Sequence, residues 1–329
     1  MNFVLLIVSL VMLVIGANWL VDGSAAIARR YHLSEYLIGA TIVGMGTSTP
    51  ELVVSCISAI GGHGDIAIGN VVGSNIFNVF LILGITALMM PIKYTRENIH
   101  RDIPLNAGIS ILVLTMCVMG IFWRGEYGLS RIDGALLLCV FALYLWSTMK
   151  SEQKQQRAKQ NGEYLPDGDQ IASVVTSRYK SMTVCILAII FGLAGLVLGG
   201  DMFVDAASNI AREWGVSEAI IGLTIVAGGT SLPELVSSII AVTKNKGQMA
   251  LGNIVGSNIF NLLLILGTSS IIQPLTMGGI TFIDWGVMIL SAFALMVAAL
   301  TFKKNQLDRA DAITFLLIYV AYMAWLIIG

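Results

Sequence analysis

Charge is scarce in this sequence: only 12% of its 329 residues are Asp, Glu, Lys or Arg, about half the share of a soluble domain. With 56% apolar residues and a mean hydropathy of +0.83, that scarcity excludes a water-soluble globule. Concentrated basic tracts are missing too, and at a formal net charge of −1 the chain has no electrostatic footprint for nucleic acid. The four cysteines, Cys56, Cys117, Cys139 and Cys185, sit in apolar stretches without C-x-x-C or Cys/His spacing. They read as small buried side chains, not as a disulfide framework or a zinc site. No H-E-x-x-H or G-x-S-x-G motif occurs, which argues against an enzyme and implies no cofactor. Prolines number only six against 34 glycines, so a proline inside an apolar run marks a place where a helix breaks.

What the sequence has in abundance is long apolar runs. A bilayer core takes about 20 such residues per helix, and ten runs qualify, near 3–28, 34–61, 66–90, 102–122, 129–149, 182–208, 217–243, 248–272, 281–302 and 309–328. The expected fold is an all-α integral membrane protein of ten transmembrane helices. The first run is read as a retained helix, because only the amine of Met1 precedes it and it continues through Trp19. Lys and Arg collect in cytoplasmic loops. With the N-terminus outside, 16 of the 19 fall in inside loops and only Arg124, Arg131 and Arg212 fall outside. Both termini are therefore expected outside. The polar stretch 150–181, with its turn-rich QNGEYLPDGDQ core, is read as a cytoplasmic linker between domains 1–149 and 182–329.

The chain also repeats itself. At an offset of 183 residues it aligns without gaps from Val21/Val204 to Pro91/Pro274, with 37 of 71 positions identical. The best blocks are GATIVGMGTSTPELVVS (39–55) against GLTIVAGGTSLPELVSS (222–238), and GNVVGSNIFN (69–78) against GNIVGSNIFN (252–261). Five spans separate each position from its mate. Five is odd, so the two five-helix copies point in opposite directions across the bilayer, the plan of secondary transporters with a site at the midplane.

Each copy interrupts a span in the same way. Gly44, Gly46, Thr47, Ser48 and Pro50 fall in the middle of one run, and Gly228, Gly229, Thr230, Ser231 and Pro233 in its mate. Each proline should end one half-helix and sit in the first turn of the next. Glu51 and Glu234 follow directly, and an ionised carboxylate at mid-membrane costs about 3 kcal/mol or more. No Lys or Arg stands at comparable depth, which leaves a metal cation or a proton as partner. The second blocks add Ser74, Asn75 and Asn78 with mates Ser257, Asn258 and Asn261. Positions 74 and 78 share a helix face, as do 257 and 261, and all offer the oxygen that hard cations such as Ca2+ and Na+ prefer. Asn75 and Asn258 read equally well as hydrogen-bonding across helices. Gly69/Gly73 and Gly252/Gly256 read as close packing of this helix on the broken one. Asp22 and Asp205, also repeat mates, lie near span ends and read as interfacial.

With GTSTPE (46–51) and GTSLPE (229–234) each followed by a G-N-x-V-G-S-N-I-F-N block, the chain resembles the prokaryotic sodium/calcium exchangers of the cation/Ca2+ exchanger superfamily. The resemblance implies an antiporter in a prokaryotic plasma (inner) membrane that exchanges Na+ for Ca2+ by alternating access. It implies that Glu51, Glu234, Thr47 and Thr230 hold Ca2+. One flanking Na+ site would comprise Glu51, Ala227, Thr230 and Ser257, and its mirror Glu234, Gly44, Thr47 and Ser74. Asn78 and Asn261 would complete the centre, with Ser48 and Ser231 close by. Many relatives carry Asp where this chain has Asn78 or Asn261, so only two carboxylates remain in the site. A Ca2+/H+ or broader cation/proton exchanger is the alternative. The implied partners are the two ions and the lipid bilayer, and an oligomer is not required.

Overall fold

The computed structural model describes residues 2–160, 181–216, 225, 227–301 and 305–328. The apolar runs form helices because in lipid a backbone must satisfy its N–H and C=O groups within its own segment. In chain order the helices are α1 (Asn2–Tyr31), α2 (Glu35–Thr47), α3 (Thr49–Ile60), α4 (Gly64–Met89), α5 (Asn98–Phe122) and α6 (Arg131–Gln160). The second half holds α7 (Met182–Glu213), α8 (Leu232–Thr243), α9 (Gly247–Ile272), α10 (Phe282–Thr301) and α11 (Arg309–Ile328). Among the described residues, eight helices are long and apolar enough to cross a membrane, and α2 and α3 meet the same test only together, as a pair bent by 45°. The shorter α8 is the second half of the expected span 217–243, of which residues 217–224 and 226 lie outside the described residues.

Two boundaries differ from the expectation. α6 runs on to Gln160, through the first third of the stretch read as linker, because KSEQKQQRAKQ contains strong helix formers and no Gly or Pro. Its extension is tied down by Glu152, whose carboxylate accepts from the Ser34 N–H at 2.7 Å and the Ser34 hydroxyl at 2.9 Å, at the start of α2. α7 extends to Glu213, five residues past the expected end. The turn-rich core of the linker falls outside the described residues.

The architecture is also not purely helical. Strand β1 (Ile92–Lys93) pairs antiparallel with β4 (Gln306–Leu307), and β2 (Gly128–Leu129) with β3 (Leu275–Thr276). Each pair staples a loop of one half to a loop of the other, satisfying backbone groups where the chain leaves the apolar layer.

Helices α9 and α4 form the centre: the apolar window of α9 is 94% buried and that of α4 72%, against 17% for α11. The centre is close-packed because α9 carries glycine where it meets α2. A Cβ at Gly252 would lie 2.3 Å from the Tyr36 carbonyl oxygen, and one at Gly256 2.4 Å from that of Ala40. The two backbones therefore touch, as the G-x-x-x-G spacing predicts. The segment that Gly69 and Gly73 are expected to meet lies outside the described residues. Cys139 is exposed, contrary to the expectation of burial. On the outer face of a span, lipid is as apolar as the protein interior, so an apolar neighbourhood in sequence does not imply burial.

Candidate cation-binding site

The interruption in the first copy falls at Ser48 (φ −80°, ψ 10°), between α2 and α3, with Pro50 in the first turn of α3. The second falls at Ser231 (φ −90°, ψ 7°), with Pro233 in the first turn of α8. Both glutamates sit one residue further on, in the first helical turn, where the backbone N–H groups favour negative charge. Glu51 is 1% exposed and Glu234 is fully buried.

The two breaks hold each other crosswise. The Ser48 hydroxyl donates to Glu234 Oε1 at 2.7 Å, and the Ser231 hydroxyl donates to Glu51 Oε1 at 3.0 Å. The other carboxylate oxygen of each, Glu51 Oε2 and Glu234 Oε2, is buried without a hydrogen-bond partner. The ion pairs Arg101–Asp102 and Lys244–Asp22 leave these glutamates uninvolved.

The asparagines add two more such oxygens. Asn78 Nδ2 donates to Asn258 Oδ1 and Asn261 Nδ2 donates to Asn75 Oδ1, both at 3.0 Å, while Asn75 Nδ2 donates to the Asn258 carbonyl at 3.3 Å. Asn75 and Asn258 therefore act as interhelical hydrogen-bonding residues. Their side-chain oxygens engage the amides of Asn78 and Asn261, and the Oδ1 atoms of those two are left buried and unpartnered. Asn78 lies in a π-helical stretch, Phe77–Leu83, and Asn261 opens another, Asn261–Ile265. Such widened turns recur at functional sites, and nothing in the periodicity of the sequence announces them.

The remaining candidates are brought in around this core. Thr47 Oγ1 bonds Asn253 Oδ1 at 3.2 Å, and Asn253 Nδ2 donates to the Glu234 carbonyl, Ser237 and Ser238. In the other half Thr230 Oγ1 bonds Asn70 Oδ1 at 3.5 Å, and Asn70 Nδ2 donates to the Glu51 carbonyl and Ser55. Asn70 and Asn253 thus brace each threonine against the glutamate expected beside it. Sequence reasoning passed over them, although both stand in the duplicated blocks. Ser257 donates to the Gly44 carbonyl at 3.2 Å, and the Ser74 hydroxyl lies 3.2 Å from that of Ser231, whose hydrogen is engaged by Glu51. Ser257 thereby touches the flanking set opposite to the one the resemblance assigns it, while Ser74 meets Ser231, which belongs to neither set. Ala227 begins the single helical turn Ala227–Gly229 that leads to Thr230.

Chemically, the arrangement gathers buried hard oxygen donors, two of them carboxylates. Among the described residues no group of three His, Cys, Asp or Glu could hold a metal, which disfavours softer transition metals. Four buried oxygens without donors are costly, and oxygen of this kind is what hard cations accept as ligand.

The chain matches the family model of the sodium/calcium exchanger protein over residues 1–150 and 184–328. It is 32% identical to the sodium/calcium exchanger MaX1 of Methanosarcina acetivorans over 346 residues, covering 98% of this chain and 97% of that protein. It is 32% identical to the inner membrane protein YrbG of Escherichia coli over 327 residues, covering 98% and 96%. Among solved structures it is similar to the sodium-calcium exchanger NCX_Mj soaked with Na+ and Ca2+, at a TM-score of 0.80 and 32% identity, covering 98% of this chain and 97% of that one.

Proposed function

The chain belongs to the sodium/calcium exchanger protein family, a family of transporters and not of enzymes, and on that premise we propose that it exchanges Na+ for Ca2+ by alternating access around the site just described. Cation/Ca2+ antiport itself follows from the family and from the likeness to NCX_Mj. The finer reading rests on one observation: Glu51 Oε2, Glu234 Oε2, Asn78 Oδ1 and Asn261 Oδ1 are all buried without partners. Ca2+ takes six to eight oxygens at roughly 2.3–2.6 Å. The four orphans, with hydroxyls of Thr47 and Thr230, meet the lower end of that number. Ser48 and Ser231 orient the carboxylates. The Gly44 and Ala227 carbonyls with Ser74 and Ser257 serve the flanking Na+ positions.

The proposed architecture is ten spans in two inverted five-helix repeats, 1–149 and 182–329, joined by the linker 150–181. Two features support it. Mirrored pairs of bridges cross the centre: Ser48–Glu234 answers Ser231–Glu51, and Asn78–Asn258 answers Asn261–Asn75. The strand pairs likewise join one half to the other. With both termini outside, β1 and β4 fall at the Lys- and Arg-rich cytoplasmic face. This orientation and the similarity to YrbG support an inner (plasma) membrane location. Because sites built from the two repeats sit between them, rocking one against the other exposes the ions to each side in turn.

The test is radiocalcium uptake by proteoliposomes of the full-length protein under imposed Na+, K+ or H+ gradients. An outward Na+ gradient should drive uptake, and neither of the others should. Uptake driven by the H+ gradient alone, or uptake without any counter-gradient, would overturn the proposal.

A further inference from the structure

The two repeats are not equivalent where α1 meets α8. Lys244, directly after α8, places its Nζ 2.7 Å from Asp22 Oδ1 and 3.5 Å from the Asn18 carbonyl on α1, with the two charged side chains 25% and 33% exposed. The repeat mate of Asp22 is Asp205 on α7, an acid at the same place. The mate of Lys244 is Gly61, at the end of α3. A glycine has no side chain to close the corresponding pair. The packing is unequal as well: α1 packs along α8, whereas α7 does not pack along α3 in this way.

We propose that the Asp22–Lys244 pair is a one-sided latch, which holds this conformation and makes the two directions of exchange unequal. The inference rests on the inverted-repeat exchanger reading. In such a transporter the opposite-facing state arises when the two repeats exchange conformations. The α1–α8 contact is then replaced by its mate, α7 against α3, where Asp205 finds Gly61. The state with the latch gains an ion pair that the other lacks, and a partly exposed pair shifts a two-state equilibrium by up to about five-fold. Ions binding from the favoured side then meet a larger fraction of competent protein, and half-saturation on that side occurs at lower Ca2+. Asp22 and Lys244 act as positioning residues and do not touch the ions.

The experiment compares half-saturating Ca2+ for Na+-driven exchange in right-side-out and inverted vesicles of the full-length protein. Asp22→Asn should move the ratio of the two values two- to five-fold toward unity. It is the cleaner deletion, because Lys246 lies within electrostatic reach of Asp22 and offers it another cation once Lys244 is gone. Gly61→Lys should move the ratio in the same direction by supplying the missing cation opposite Asp205. Gly61 has an ordinary φ of −73°, and a Cβ there would meet the His63 ring at 3.3 Å, a tight approach that the exposed His63 side chain can relieve by a small shift. The charge swap Asp22→Lys with Lys244→Asp should restore the parental ratio. Robust exchange with an unchanged ratio in both single variants overturns the latch and leaves the exchanger reading intact. A parent that shows no Na+-driven exchange overturns both.

Discussion

Glu51→Gln separates the role of this carboxylate in binding from any role in holding the fold. In the structure Glu51 spends one oxygen on the Ser231 hydroxyl at 3.0 Å and leaves the other unpartnered, and a second buried carboxylate, Glu234, is held by Ser48 across the two breaks. Glutamine keeps the shape and the acceptor for Ser231 but removes the charge. Breaking one partner of a buried ion pair costs about 3–5 kcal/mol. Ca2+ binding should therefore weaken by roughly a hundred- to several thousand-fold, and uptake should vanish at ordinary Ca2+ concentrations. Without ions the sign reverses. The substitution relieves the desolvation of a buried charge and its repulsion with Glu234, so the ion-free protein should unfold at an equal or higher temperature than the parent. The assay is thermal unfolding of purified protein in detergent, with chelator and with Ca2+, beside uptake in proteoliposomes. The parent should show a Ca2+-dependent rise in Tm and the variant none. A variant that is less stable without ions yet keeps the Ca2+-dependent rise would show that Glu51 serves the fold and not the ion. Near-parental uptake would refute the assignment outright.

Three further outcomes are expected. Asn261→Asp removes the amide that donates to Asn75 Oδ1 at 3.0 Å and sets two acceptors against each other, so the ion-free protein should lose about 1–3 kcal/mol and recover it with Ca2+; an unchanged Tm with chelator would place position 261 outside this network. Gly256→Ala forces a methyl to within 2.4 Å of the Ala40 carbonyl, so α2 must move off α9; the cost should be about 1–3 kcal/mol, read by chemical or thermal unfolding, with Ca2+ affinity falling because Thr47 moves with α2. Exchange of three Na+ for one Ca2+ transfers one net charge, worth about 2.3 kcal/mol per 100 mV; a valinomycin-clamped K+ potential should change the uptake rate, and voltage-independent uptake would point to an electroneutral cycle.

Much of the site is legible in the chain because duplication marks it twice. Pro50 and Pro233 sit where helices must break, and Glu51 and Glu234 follow where no lysine or arginine can neutralise them. Both conclusions come from local rules of backbone geometry and desolvation, which need no knowledge of neighbours. The departures arise where a neighbour decides. The helix formers of KSEQKQQRAKQ allow α6 to run on to Gln160, but nothing in them says that Glu152 receives Ser34. Hydropathy could not say that Cys139 faces outward, since lipid and protein interior look alike to an apolar side chain.

By itself, then, the sequence determined the class of molecule, eight of its membrane-length helices, the repetition of its motifs and the oxygen-bearing residues at its two breaks, because composition, period and proline act within one segment. Only the tertiary structure decided which serine holds which glutamate, that Asn75 and Asn258 engage the amides of Asn78 and Asn261 so that those two keep free oxygens, and that Asn70 and Asn253 brace the threonines. Those choices belong to pairs of atoms from opposite halves of the chain. Identical motifs carry no label for their partners, and a hydrogen bond within about 3 Å exists only once the two backbones have packed glycine to carbonyl.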